Sequence, residues 1–350
     1  MFAHVASQRQ ARRSRSRDWT SVRTLAGLCL VLAASAFLAA PAAAKPDPIR
    51  AVVGVRSVVP AEARTAGSLG TERQGNGIVI DAKGLVLTIG YLIMEAQSAE
   101  IYGPDGKTVP AAIVAYDHQT GFGLLRATAP LNVEPVELGS ATDLKMGARV
   151  LAVGYGGARP VVPAQVVSRR AFAGYWEYLL DGAIFTMPPH PTFGGAALIA
   201  EDGKLVGIGS LFVNDAIEPS VLAPGNMFIP IDLLKPILSD LVASGRSSGP
   251  PKPWIGVHVA ESHGRVVVVR TSDEGPAKAA GIAPGDIILG VGGKRVTSIE
   301  DFLRKAWAQG NAGTTVPLDV IKADTPNPEV THVKVQSIDR HRWLKIHRGF

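Results

Sequence analysis

Residues 190–198 read HPTFGGAAL, and GKLVGIGS follows at 203–210. A glycine pair between a polar loop and a short apolar run, with an Asp-Gly turn behind it, can form the floor of a site that holds a hydroxyl nucleophile beside backbone donors. The loop PPHPTF carries no serine, so its only hydroxyl is that of Thr192, and the histidines that could approach it are His190 and His118. A weak nucleophile needs a base within hydrogen-bond reach and a third group to orient that base. No base for Thr192 is recognisable in the sequence, and both histidines read as solvent-facing loop residues. The eight histidines include no H-x-x-x-H pair, and one cysteine cannot complete a ligand set, so neither a metal nor another cofactor is expected. The glycine-rich GYGG at 154–157 has no following helix and no Lys-Ser pair, which makes it a strand loop rather than a phosphate cradle.

The elements that must position these residues are short and β-like. Apolar runs IRAVVGVRSVV, GIVI, LVLTIG, RVLAVGY and KLVGIGSLFV are punctuated by DAKG, GPDGK and AEDGK. That alternation of strand and Asp-Gly turn predicts hairpins in an antiparallel barrel or sandwich. At Asp232 the period changes: Leu233, Leu234, Ile237, Leu238, Leu241 and Val242 recur at helical spacing, with Asp232 as the expected cap. Residues 244–253, SGRSSGPPKP, suit a linker. Beyond it, WIGVHV, RVVVVRT, PAKAAG, IAPGDIILGVGGKRV, SIEDFLRKAWAQG and TTVPLDVIKA predict a small α+β module of five or six strands and two helices.

The chain has 350 residues, 46% of them hydrophobic and 19% charged, which suits two globular domains. Its formal net charge of +6 comes almost entirely from the first 44 residues, where Arg9, Arg12, Arg13, Arg15, Arg17 and Arg23 face one acid, Asp18. The rest is near neutral, so the charge gives no reason to invoke nucleic acid. The basic start, the apolar run LAGLCLVLAASAFLAA and the end at PAAA before Lys45 read as a secretory signal over residues 1–44, with export to the periplasm. Leu28 before Cys29 is too large for a lipobox.

The second unit resembles a PDZ domain of the kind found behind bacterial proteases, through Trp254-Ile255-Gly256-Val257, the core GPAKAAGIAPGDIILGVGGKRV and the helix after Thr297-Ser298. A glycine-containing loop ahead of a strand exposes successive backbone amides to a C-terminal carboxylate, and the strand edge accepts an extended peptide. The peptide-binding candidates are Trp254, Ile255, Gly256, Val257 and Phe302, with Leu303 and Ala306 beside them.

With that module, residues 50–340 resemble the HtrA family of exported trypsin-like serine proteases. GNGIVIDAKGLVLT, AIVAYDHQTGFGLLRA, LGSATDLKMGARVLAVGY, GGAALIAEDGKLVGI and NMFIPIDLLKPIL stand in the family's order and spacing. The resemblance implies a mainly β fold, a chymotrypsin-like double β-barrel followed by a small α+β PDZ domain. It also implies domains at 48–243 and 254–338, the linker at 244–253 between them and a basic tail at 339–350. Counted onto the family's motifs, the histidine position is Tyr91, the aspartate position Gly121, the serine position Phe193 and an oxyanion-hole glycine Pro191. Phenylalanine has no nucleophilic atom, tyrosine is no base near neutral pH, glycine orients nothing and proline has no N–H to give. No catalytic residue is therefore assigned.

The aromatic cluster Phe172, Tyr175, Trp176 and Tyr178 reads as core packing, with a partner surface as the alternative. The family's trimers are held by aromatic residues near the start of the protease domain. None stands between Lys45 and Gly90, so trimerisation by that route is not expected, and another homo-oligomer stays open. The tail DRHRWLKIHRGF reads as solvated; its alternatives are contact with an anionic membrane, or Phe350 seated in a PDZ groove. Membrane contact would otherwise require an uncleaved leader. The expected function is binding of peptides or protein C-termini as an envelope adaptor or regulator, without proteolysis. The alternative is an active endopeptidase with a rearranged site.

Overall fold

Turn chemistry sets the hairpins. Asp81 Oδ1 accepts from the amides of Lys83 and Leu85, both at 2.8 Å, while Gly84 takes φ +74°, and this turn joins β2 (Glu72–Val79) to β3 (Leu85–Ile89). Asp105 with Gly106, and Asp202 with Gly203, repeat the device between β4 (Ser98–Tyr102) and β5 (Thr108–Tyr116) and between β10 (Ala197–Ala200) and β11 (Leu205–Val213). An aspartate that caps its own turn followed by a residue free to take positive φ is a strong local instruction.

The computed structural model describes residues 47–157, 159–324 and 329–344. The expected signal segment 1–44 and the terminal Phe350 lie outside the described residues. With β1 (Val52–Val58) and β6 (Phe122–Ala127), the first strands close into a barrel ordered β1-β2-β3-β6-β5-β4. A second barrel is ordered β10-β11-β12-β9-β8-β7, with β7 Arg149–Val153, β8 Val161–Gly174, β9 Tyr178–Met187 and β12 Gly225–Pro230. Closure leaves no free sheet edge in either barrel. One apolar core joins Ile78, Leu87 and Phe122 to Phe185, Ile208 and Ile229, so the barrels share packing. The buried Asn76 on β2 ties them further. Its amide nitrogen Nδ2 donates to Thr192 O (2.6 Å) and Gly194 O (2.9 Å), its backbone N–H donates to Gly194 O (2.8 Å), and Oδ1 accepts from Tyr155 N (2.7 Å).

Among the described residues helices are few: α1 (Ala66–Leu69), α2 (Leu238–Ser244), α3 (Pro276–Ala279), α4 (Ile299–Trp307) and α5 (Arg340–Trp343). The helix expected from Asp232 is broken. A 3-10 turn covers Ile231–Leu233, and α2 starts only at Leu238. Pro236 explains the break, because it lacks an N–H and its ring crowds the preceding turn. Asp232 is no helix cap; it accepts from Ala141 N (2.6 Å) and Ser140 Oγ (2.8 Å) in a distant loop.

Residues 245–253 form no strand or helix, yet they are tied down: Pro251 O accepts from Ala312 N (2.8 Å), and Lys252 Nζ lies 4.0 Å from the Trp307 ring centroid. The closing module holds β13 (Val257–Ser262), β14 (Arg265–Thr271), β15 (Ile287–Val291), β17 (Thr315–Ile321) and β18 (Val330–Gln336) in that order, with β16 (Lys294–Arg295) on β15. Helix α4 begins where the sequence places it, with Ser298 Oγ accepting from Asp301 N (3.0 Å), and it buries Ile299, Phe302, Leu303 and Ala306.

Candidate functional site

Two places could act on a ligand. The first is a cleft of about 550 Å³ between the barrels, lined by Gly75, Asn76, Tyr91, Tyr155 and the loop Pro191–Gly194. Of the three positions counted from the family motifs, Tyr91 and Phe193 line this cleft; Gly121 does not, and reaches it only through Gly90, the neighbour of Tyr91. Tyr91 sits in the 3-10 turn Gly90–Leu92 after β3, and Gly90 N donates to Gly121 O (2.7 Å). The Tyr91 hydroxyl donates to Ser210 O (2.9 Å) and lies against Gly194, where an added Cβ would be 2.7 Å from Oη. Burial raises the Tyr91 phenol well above the ordinary tyrosine range, which leaves it a neutral donor at any working pH.

Gly121 has φ +87°, and a Cβ there would meet Ile229 Cδ1 at 3.3 Å and Tyr178 Oη at 3.4 Å. The space beside it is taken: Tyr178 Oη donates to Thr120 O (2.7 Å). Phe193 is half-buried, its carbonyl accepting from Ala196 N (2.9 Å), and Pro191 and Thr192 are exposed.

Both histidines differ from their sequence reading. His190 is 0% exposed, because its backbone N–H donates to Asn226 Oδ1 (2.6 Å) and its ring packs inside the loop, with Nε2 at 3.3 Å from Pro160 O. Its Nδ1 accepts from Thr192 N (3.1 Å) and lies 3.3 Å from Thr192 Oγ1. Burial lowers its pKa, so the ring is neutral at pH 7. Thr192 therefore does have a basic nitrogen beside it, from one of the two histidines the sequence offers. That nitrogen is shared with a backbone amide, and its ring is oriented by a carbonyl rather than a carboxylate. His118 is no free loop histidine either: both ring nitrogens are buried without a hydrogen-bond partner, and the ring stands edge-on to Tyr116 (4.4 Å between centroids) and His341 (4.3 Å).

The second place is the loop ahead of β13. The amides of Ile255 (3.0 Å), Gly256 (2.6 Å) and Val257 (2.9 Å) all donate to one carboxylate, that of Glu177 in the β8–β9 turn. Gly256 has φ +82°, and a Cβ would meet the Trp254 ring at 3.2 Å and Ser272 Cβ at 3.3 Å. The side chains of Ile255, Val257 and Phe302 are buried in one apolar cluster with Leu303, Ala306 and Leu179. Trp254 instead exchanges backbone hydrogen bonds with Ile338 (3.1 and 3.0 Å) and packs on Trp343, 4.7 Å between centroids. Glu177 is the residue of this place that sequence reasoning missed; its signal is an acid set between aromatics, Trp176-Glu177-Tyr178, at a hairpin tip. Burial pushes its carboxyl up to about 7, although the three amides and Arg340 pull the other way.

Comparison with known proteins identifies the two domains. The model of the trypsin-like peptidase domain matches residues 75–208, and that of the PDZ domain matches residues 253–335. Serine protease PepD of Mycobacterium tuberculosis is 28% identical over 311 residues, covering 82% of this chain and 66% of its own length. A probable periplasmic serine endoprotease, DegP-like, of Pseudomonas fulva is 26% identical over 282 residues, covering 75% of this chain and 57% of its own. The chain joins a trypsin-like peptidase domain to a PDZ domain, and the relatives it resembles are named as HtrA and DegP-like serine proteases. The HtrA-like chain spans about two thirds or less of the length of these two relatives. Among solved structures, the HtrA-type protease AlgW with tripeptide superposes with a TM-score of 0.50 at 19% identity, covering 83% of this chain and 94% of that one, a likeness of fold. Among the described residues, no helix is long and apolar enough to cross a membrane.

Proposed function

We propose that this HtrA-like chain is an exported, periplasmic adaptor or regulator that binds peptides or protein C-termini in its PDZ groove and has lost serine-protease chemistry. The observation that carries the reading is the convergence of the amides of Ile255, Gly256 and Val257 on a single carboxylate at 2.6–3.0 Å, the contact a C-terminal peptide requires. The other half of the reading is supported by Tyr91 as a buried neutral donor, Gly121 without a side chain, Phe193 without a nucleophilic atom and Pro191 without an N–H. The P. fulva relative's description as periplasmic agrees with the exported reading.

Incubation with denatured casein and with a fluorophosphonate probe is expected to give neither cleavage nor labelling. A pool of peptides with free C-termini is expected to bind, an amidated pool to bind far less, and Gly256→Leu to abolish binding, because φ +82° and the Trp254 ring leave no room for a side chain. Equal binding of amidated peptides would sink the groove reading.

A second reading, a hydrolase using Thr192, is favoured by one observation, the 3.3 Å approach of Thr192 Oγ1 to His190 Nδ1. Casein cleavage that survives further purification and disappears on Thr192→Ala would establish it.

A further inference from the structure

We propose that the tip of the β8–β9 hairpin is an internal ligand of the PDZ groove, with the Glu177 carboxylate standing where the terminal carboxylate of a bound peptide would stand. The inference rests on the peptide-binding reading and says what regulates that site. A free C-terminus must displace this hairpin to enter.

Three kinds of contact mark the hairpin as a ligand rather than a neighbour. Carboxylate recognition comes first: Glu177 saturates the three loop amides and is itself 8% exposed. Strand addition comes second, because Val259 N on β13 donates to Tyr175 O (2.9 Å), a main-chain bond of the kind an added strand makes. The apolar pocket is third: Leu179, two residues past Glu177, is buried with Ile255, Val257 and Phe302, and Ala173 packs against the same cluster. Helix α4 borders the other side, where Arg304 meets Asp181 of β9 at 2.5 Å.

The hairpin carries a cost that this contact offsets: the third residue of a three-residue loop takes the left-handed conformation, and here it is a glutamate rather than a glycine. Glu177 holds φ +57°, a left-handed conformation that a non-glycine residue adopts with strain. A carboxylate taken from water also resists burial, and an ordinary packing contact would gain more from an apolar residue at this position. Both costs are offset by amides that point at one spot. The hairpin is covalently tethered, so its effective concentration is high, yet each of its contacts is one that an incoming peptide can replace.

The test uses the full exported chain and two readouts. The first is hydrogen exchange of the amides at 255–257 in wild type, Glu177→Ala and the near-isosteric Glu177→Gln. The second is fluorescence anisotropy with a pool of labelled octapeptides ending in Val, Leu or Phe with free carboxylates. Exchange at 255–257 is expected to rise about tenfold or more in Glu177→Ala, and the apparent affinity for the pool to tighten by a similar factor, since occupied groove is unavailable groove. Exchange at 255–257 unchanged in both variants, with the fold intact by circular dichroism, would overturn the internal ligand. If Glu177→Ala does not fold, Glu177→Gln alone carries the comparison, with a smaller rise expected. Faster exchange with no peptide binding in any form would leave the internal ligand standing and remove the peptide-binding reading instead. Binding in Glu177→Ala that is lost again when Gly256→Leu is added would support both.

Discussion

Gly195→Ala is expected to destabilise the chain by about 3–5 kcal/mol, among the largest effects of any single methyl addition. Gly195 holds φ +75°, and its added Cβ would lie 1.9 Å from Asn76 O, 2.8 Å from Asn76 C and 2.8 Å from Thr88 Oγ1. The obstacle is backbone, and that backbone cannot drift. Asn76 O accepts from Thr88 Oγ1 (2.6 Å), while the rest of Asn76 is held by Thr192, Gly194 and Tyr155. Relief would mean parting the two barrels where they are cross-linked. Gly293→Ala is the control, because Gly293 has a similar φ of +73° with no atom within 4 Å, and it should cost only the conformational term of about 1–2 kcal/mol. Denaturant midpoints of the two variants measure the difference directly. A Gly195→Ala variant no weaker than Gly293→Ala would mean that the Asn76 strut yields easily. The expected result also bears on function. The glycine pair in HPTFGGAAL is required by packing, so its presence is no sign that the loop still catalyses anything.

What the sequence revealed depended on how far each residue's partner lies along the chain. The Asp-Gly hairpins were legible because Asp81, Asp105 and Asp202 bond to amides two to four residues on. Ser298 likewise caps its helix over a short range, through the amide of Asp301. Asp232 looked equally local, but its partners are Ala141 and Ser140, and Pro236 had already broken the helix it was meant to cap. His190 is buried by Asn226 and Pro160, neither of which is near it in sequence. Glu177 is the fullest case. The loop that receives a carboxylate and the aromatic cluster around Glu177 were both visible, yet the hydrogen bonds joining them span 78 to 80 residues. Nothing in either stretch says that they meet.

Restoring the three counted side chains, Tyr91→His, Gly121→Asp and Phe193→Ser together, is expected to leave casein intact and to lower the melting temperature by roughly 2–10 °C. An aspartate at 121 must adopt φ near +87°, at a cost of about 1–3 kcal/mol, with its Cβ pressed on Ile229 and Tyr178. Tyr178 cannot simply withdraw, because its hydroxyl is bonded to Thr120 O and its ring stacks on Trp176, 5.8 Å between centroids. Pro191 withholds one amide from the oxyanion side, a loss of about a hundredfold to a thousandfold even where a triad is sound. The Thr192 amide is already donated to His190 Nδ1. If the chain is inactive as proposed, the block lies in the backbone of two loops, beyond the reach of three side chains. Fluorophosphonate labelling of the triple variant, absent from the Tyr91→His, Gly121→Asp double, would contradict this and mean that the cleft kept its reactive geometry. Activity that appears only when Pro191→Gly is added would assign the block to the oxyanion side, and leave Gly121 a smaller part in it than its geometry suggests.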